Sequence, residues 1–226
     1  FGPTIDKRLI YGTPVNASSL GIGPTMVTVV KDEASVLLGE TVKNETDLAT
    51  IATTFFPRNK KLVDAVLKTY AVKNYGSAFQ AANAAITDAL FTCPAIRYHE
   101  HLSDTQPQVF LFQFDHPMLL PSVASKLTTG QDYGVFHGSD LVLLFNFSPF
   151  VSMPSGKQAA EMRAGLKRFM TSGSPLNPKR AAGEQDVWTV AQNQLVKGRG
   201  QCGEVWSLLN GQPPLPHNFA STLPLP

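Results

Sequence analysis

Charge is scarce in this chain. Only 16% of its 226 residues are Asp, Glu, Lys or Arg, the formal net charge is +2, and no run of Lys or Arg occurs. Proteins that neutralise nucleic-acid phosphates or dock on acidic membranes concentrate basic residues on one stretch or face, so neither partner is expected. Long apolar runs are missing as well. No stretch approaches the roughly 20 residues that span a bilayer, and the opening FGPTIDKRLI is not a signal peptide. An initiator Met is absent too: Phe1-Gly2-Pro3 reads like the interior of a longer chain, which creates the expectation of a preceding segment. Cysteine occurs only twice, allowing one bridge at most. What is present is enough apolar material, 43% of residues, to bury one sizeable core, without a bias towards disorder. Three N-x-[ST] acceptors, at Asn16, Asn44 and Asn146, together with the cysteine pair, suggest a secreted, extracellular glycoprotein.

The segment Thr25–Val30 (TMVTVV) is a short β-rich run after Gly21, Gly23 and Pro24, and it predicts a buried strand followed by a charged elbow, Lys31-Asp32-Glu33. From Asp47 to Phe91 the pattern is helical. Leu62, Val66 and Tyr70 share one face, and Phe79, Ala82, Ile86 and Leu90 another, with Pro57 and Gly76 dividing the stretch. Val109–Phe114 (VFLFQF) is the strongest strand, a nearly continuous apolar run of the kind parallel sheets bury on both faces. In YGVFHGSDLVLLF, Gly138-Ser139-Asp140 reads as the cap of a short apolar helix. A further helix follows Ser155-Gly156-Lys157-Gln158, which fits a capping box; Met162, Leu166 and Phe169 form its inner face, and Gly173 and Pro175 end it. Trp188 and residues 195–209 suggest a short strand pair and a turn of helix, and the proline-rich end from Pro213 to Pro226 an exposed tail. Strands alternating with helices argue for an α/β sheet, yet two strands are too few to close one, a second sign of a longer parent chain. No repeat or linker divides residues 1–226, which read as a portion of one domain.

An acid just after one strand and a histidine in the loop after the next is how α/β-hydrolases present two members of a catalytic triad, in the chain order Ser, Asp/Glu, His. Glu33 and His137 stand in those places. The chemistry needs an imidazole that takes the serine proton and a carboxylate that fixes its tautomer and stabilises the imidazolium. The flanking sequence makes the match specific. VTVVKDEASVLL resembles the acid-bearing segment, and YGVFHGSDLVLLF the His-Gly-x-Asp/Glu motif, of the type-B carboxylesterase/lipase (cholinesterase-like) family. FTCPAIRY resembles its Cys-Pro helix end and VFLFQFDHP the strand before its histidine loop, while FGPTID and RFMTSGSPLNP resemble its Gly-Pro-x-x-Asp segment and a late helix ending in Gly-x-Pro. These segments occur in family order and cover residues 1 to about 210.

The resemblance implies the C-terminal part of an α/β-hydrolase fold, a mostly parallel sheet flanked by helices, with Glu33 as triad acid, His137 as general base, and Ser139 and Asp140 supporting the histidine loop. Ala34 replaces the usual Gly, one small residue for another. No G-x-S-x-G elbow occurs in the 226 residues. The family places its nucleophile upstream, so the implied partner is an N-terminal fragment of the same protein carrying the serine, and hydrolysis by this chain alone is not expected. The implied reaction is hydrolysis of small-molecule or lipid carboxylic esters, with no cofactor. The resemblance also implies a Cys93–Cys202 bridge, the alternative being two buried free thiols.

His99-Glu100-His101 lacks the i, i+4 spacing of a helical zinc pair and has no nearby Cys or Asp, so no metal is expected. The Phe-rich strand reads as core rather than a stacking platform for bases, and Gly21-x-Gly23 as a turn before a strand, whereas a phosphate loop follows one. The competing function is a cholinesterase-like binding, adhesion or storage protein that has kept the fold and lost the serine. The upstream residue at the elbow discriminates the two.

Overall fold

β-Branched residues dominate TMVTVV, and the aromatic-rich VFLFQF has equally little freedom outside an extended backbone. In the computed structural model, which describes residues 7, 23–104, 106, 108–115, 131–145, 156–176, 202, 203 and 205, these two segments form strands β1 (Thr25–Val30) and β2 (Val109–Phe114). They pair in parallel, with Thr25 opposite Val109 and Val30 opposite Phe114. A parallel pair requires a long crossover, and between these two strands it contains a series of helices from Ser35 to Ser103. One further parallel bridge, Asp32 to Phe136, lies just beyond the end of β1.

The crossover contains α1 (Ser35–Leu38), α2 (Glu45–Phe55), α3 (Lys60–Thr69), a 3-10 turn at Val72–Asn74, α4 (Ala78–Thr87) and α5 (Cys93–Ser103). Helices α2, α3 and α4 each start on a residue that offers a side-chain oxygen to orphan N–H groups. Asn44 accepts from Thr46 and Asp47 while Asp47 accepts in return from Asn44, completing a capping box; Asn59 accepts from Leu62 and Ser77 from Gln80. Leu62, Val66 and Tyr70 are buried, as are Phe79, Ala82 and Ile86, and these faces meet in the main core with Leu48, Ala52 and Phe55 of α2. The small Ala78, Ala81, Ala82 and Ala85 let α4 approach its neighbours closely.

The sheet is covered on both sides. Val29 and Leu111 pack against Ala95 and Ile96 of α5. Val30, Phe112 and Phe114 pack against Ala159 and Met162 of α7 (Gly156–Ser172), with α6 (Ser139–Phe145) alongside. Within β2, Leu111, Phe112 and Phe114 are buried while Val109, Phe110 and Gln113 are half-buried, so burial on both faces is incomplete. Leu166 and Phe169 are likewise only half-buried, the Phe169 ring standing edge-on to Phe110 at 6.2 Å. Gly173 ends α7 at φ +76°, where a Cβ would meet Pro24 Cγ at 2.7 Å. Glycine there permits both the left-handed turn and the close approach to the start of β1. Ser155 of the expected capping box, Trp188, most of 195–209 and the 213–226 tail lie outside the described residues. Among the described residues, no helix is long and apolar enough to cross a membrane.

The Cys-Pro element corrects the reading of a helix end. Helical structure does not stop near Phe91 but runs on to Ser103 through a π turn at Asp88–Thr92. A proline inside a regular helix lacks the N–H for an i to i−4 bond, and its ring collides with that carbonyl. Here the ladder widens just before Pro94, with Cys93 N–H donating to the Asp88 carbonyl, and α5 restarts with Pro94 in its first turn, where no N–H is needed.

Asp88 within that turn accepts a hydrogen bond from Tyr70 Oη at 2.6 Å. Burial raises its carboxyl pKa from 3.8 to about 6, the Tyr70 bond opposing it only in part. The folded state therefore holds a proton that the unfolded state has released between about pH 4 and pH 6, and stability from this group falls as pH rises through that window. Such a rise corresponds to about 3 kcal/mol. Asp88→Asn keeps an acceptor for Tyr70 without the charge, so it should stabilise the protein at pH 8 by up to about 3 kcal/mol, with the gain fading below pH 4. Urea unfolding of both proteins at the two pH values checks this; a pH-independent difference would refute it.

Candidate active site

The carboxyl ends of β1 and β2 determine where side chains can converge. Lys31 N–H still donates to the Phe114 carbonyl, and Asp32 N–H to the Val135 carbonyl at 3.0 Å, which draws residues 135–137 across to the turn after β1. Glu33 then points back under that turn. It is only 5% exposed, and its Oε1 accepts from the Val30 backbone N–H at 2.9 Å. Its other oxygen, Oε2, is hydrogen-bonded to Nδ1 of His137.

A buried carboxylate with one oxygen committed to the backbone and the other to an imidazole can do one thing well. It holds the ring in a single orientation, with the proton on Nδ1 and Nε2 left as the acceptor. The His137 side chain is 58% exposed, so the ring is open on the side away from Glu33. Its apolar support is Phe91, whose ring centroid lies 5.5 Å away. Phe91 belongs to the π turn, so the helix irregularity at Asp88–Thr92 also delivers a ring to the site.

Asp32, next to Glu33, faces elsewhere. Its Oδ1 accepts from Asn83 Nδ2 at 2.7 Å and its Oδ2 from the Val135 N–H at 2.8 Å. Burial raises its pKa above the usual carboxylate value, against the lowering effects of these two hydrogen bonds. Asn83 in turn accepts from Thr87 Oγ1, which accepts from the Ala34 N–H at 3.1 Å. Flanking motifs mark Glu33 and His137 in the sequence, but nothing comparable marks Asp32, Asn83, Thr87 or Phe91. Asp32 was visible as half of an acidic pair, but its partners lie 51 and 103 residues away and carry no local signature.

Ser139 and Asp140 open α6, but not as a side-chain cap. Ser139 N–H donates to the Phe136 carbonyl, and its hydroxyl is buried without a hydrogen-bond partner among the described residues. Having entered the helix at its first position, Ser139 lacks the extended backbone from which an N-cap oxygen reaches forward. Asp140 lies in the first turn, where its charge favours the helix dipole. Cys93 and Cys202 form a disulfide. Asn44 is exposed and uses its side-chain oxygen as the α2 cap. Asn16 and Asn146 lie outside the described residues. His99, Glu100 and His101 follow one another along α5 and so point to successive faces of the helix.

Residues 1–198 match the sequence model of the carboxylesterase family. Among solved structures, the chain resembles Aspergillus niger EstA at 16% identity and a TM-score of 0.60, covering 83% of this chain and 40% of that one. It also resembles a PNB esterase at 16% identity and a TM-score of 0.53, covering 74% of this chain and 33% of that one. At such identities the likeness establishes the fold, that of the α/β-hydrolases, and the chain spans less than half the length of either relative. A sequence comparison with curated proteins found no match.

Proposed function

The chain belongs to the carboxylesterase family, and from that premise we propose that it supplies the acid and the base of a Ser-Glu-His triad that hydrolyses carboxylic esters of small molecules or lipids. The observation that carries the proposal is the hydrogen bond from His137 Nδ1 to a Glu33 carboxylate already anchored on Val30. The serine comes from a segment outside these 226 residues, which contain no G-x-S-x-G elbow.

In this reading His137 Nε2 removes the proton of the serine hydroxyl as its oxygen attacks the ester carbonyl. The imidazolium then protonates the leaving alcohol, and water, activated by the same ring, hydrolyses the acyl-enzyme. Glu33 holds the ring and stabilises the imidazolium that forms. The protein is a secreted glycoprotein, a reading supported by the disulfide and by the exposed Asn44, whose cap engages only the side-chain oxygen and leaves the amide nitrogen that would carry a glycan.

Fluorophosphonate labelling of the full-length protein tests the triad, followed by intact mass of every polypeptide before and after deglycosylation. The expected result is one label, on a polypeptide carrying residues that precede this chain, lost after prior denaturation. An unlabelled protein with that segment present would instead indicate a non-catalytic relative that binds, adheres or stores.

A further inference from the structure

The hydrogen bonds around Asp32 join the acid turn to the histidine loop without touching either Glu33 or His137. Four residues link to Asp32 or to one another. Ala34, one residue past the acid, donates to Thr87 on α4; Thr87 donates to Asn83 Oδ1 at 3.3 Å; Asn83 donates to Asp32; and Asp32 accepts from Val135, two residues before His137. Asn83 and Thr87 are 5% and 2% exposed, beside a core built of alanines, aliphatics and aromatic rings. Polar groups buried this deeply are costly unless fully paired, and here each meets the next.

The fit is also steric. Gly134 adopts φ +57°, and a Cβ there would lie 2.3 Å from Asp32 Oδ2, so the loop backbone lies directly against the carboxylate. Asp32 must also be an acceptor at both oxygens, since both its partners are donors. Asparagine would present its NH2 to one of them.

We propose that Asp32 is a positioning residue for the triad: held by Asn83 and Thr87, it clamps the Val135 backbone and so sets where His137 meets Glu33. This rests on the triad reading for its kinetic consequence but not for its geometry. Asp32→Asn leaves two N–H donors competing for one oxygen and should free the loop. Adding Asn83→Asp restores the pattern in reverse, because the new amide at position 32 can accept from Val135 and donate to the new carboxylate at position 83, which also accepts from Thr87.

The experiment compares the wild type, Asp32→Asn and the Asp32→Asn/Asn83→Asp swap in the full-length protein, reading ester kcat and KM alongside the low-field imidazole Nδ1–H proton resonance of His137. The single variant should lose roughly 10- to 100-fold in kcat, the scale of a small misplacement of a reacting group, with KM nearly unchanged and the resonance gone; the swap should recover both. Unchanged kcat and resonance in the single variant, or a folded swap no better than it, would overturn the proposal. Should Asp32→Asn fail to fold, Thr87→Val cuts the same chain at its far end, and a kcat equal to wild type would overturn it equally. A wild type without esterase activity would sink the triad reading alone, since loss of the resonance in the single variant and its return in the swap still decide the clamp.

Discussion

Replacing Glu33 by Gln in the full-length protein should lower ester turnover by about 10⁴-fold, the cost of holding a catalytic imidazole in the wrong tautomer. Both Glu33 oxygens face donors, Val30 N–H and His137 Nδ1–H. Gln offers one oxygen and one NH2. If the oxygen stays on buried Val30, the amide group confronts Nδ1, which must then give up its proton and leave it on Nε2, the atom that has to accept the serine proton. If the oxygen turns to the ring, a buried backbone N–H loses its partner, at a cost of about 1–3 kcal/mol in stability. His137→Gln should remove at least as much activity, because no base remains. Steady-state kcat with saturating ester, alongside thermal melts to establish folding, separates these effects. Glu33→Asp should fall between, since the shorter side chain withdraws the carboxylate from the ring while keeping its charge. Activity of the Gln variant within about tenfold of wild type, against the far larger loss a triad acid carries, would exclude Glu33 from that role.

What could be read from the sequence follows from the range of the forces involved. β1, β2 and the faces of α3 and α4 were legible because strand and helix periodicity are local; Leu62, Val66 and Tyr70 declare one side of a helix within a single short segment. The pairing of Glu33 with His137 was legible only through flanking motifs, because nothing in KDEAS or FHGSD alone brings together two side chains 104 residues apart. The π turn was not legible. Pro94 reads as a stop in any local scheme, and the widened ladder that admits it is a tertiary solution, reinforced by packing of Phe91 and Ile96 against β1 and β2. The Asp32 chain was hidden for the same reason. Its members lie at 32, 34, 83, 87 and 135, and only the crossover through α4 brings them together. Ser139 shows the reverse case, a local capping pattern that tertiary packing overrode by placing the residue inside the helix with its hydroxyl buried.

Removal of the Cys93–Cys202 bridge should be the largest single loss of stability. The cysteines are 109 residues apart, so the bridge closes much of the described fold into one loop. In the chain-entropy account, a loop of that length restricts the unfolded chain by roughly 4–5 kcal/mol, and native disulfides lost from small secreted domains cost about 2–5 kcal/mol. The bridge also has a definite mechanical task. Cys93 is buried beside α4 at the junction of the π turn and α5, and Val205, three residues past Cys202, is buried in the same helical core. Cys202 additionally touches the cluster formed by Val29, Ala95, Ile96 and Leu111, so the linkage holds Cys202 and, with it, Val205 against the helical core and one face of the sheet. Alanine at both positions avoids burying an unpaired hydroxyl, so the Cys93→Ala/Cys202→Ala protein isolates the loss of the linkage. Its melting temperature should fall by roughly 10 °C, taking about 2–4 °C per kcal/mol for a domain of this size. Wild type secreted through an oxidising compartment should match the higher value, and wild type made in a reducing cytosol the lower one. Equal melting temperatures for the oxidised wild type and the double alanine variant would mean that packing of Val205 alone holds this region. A loss confined to material never exposed to an oxidant would tie the bridge, and the stability of the site it supports, to export.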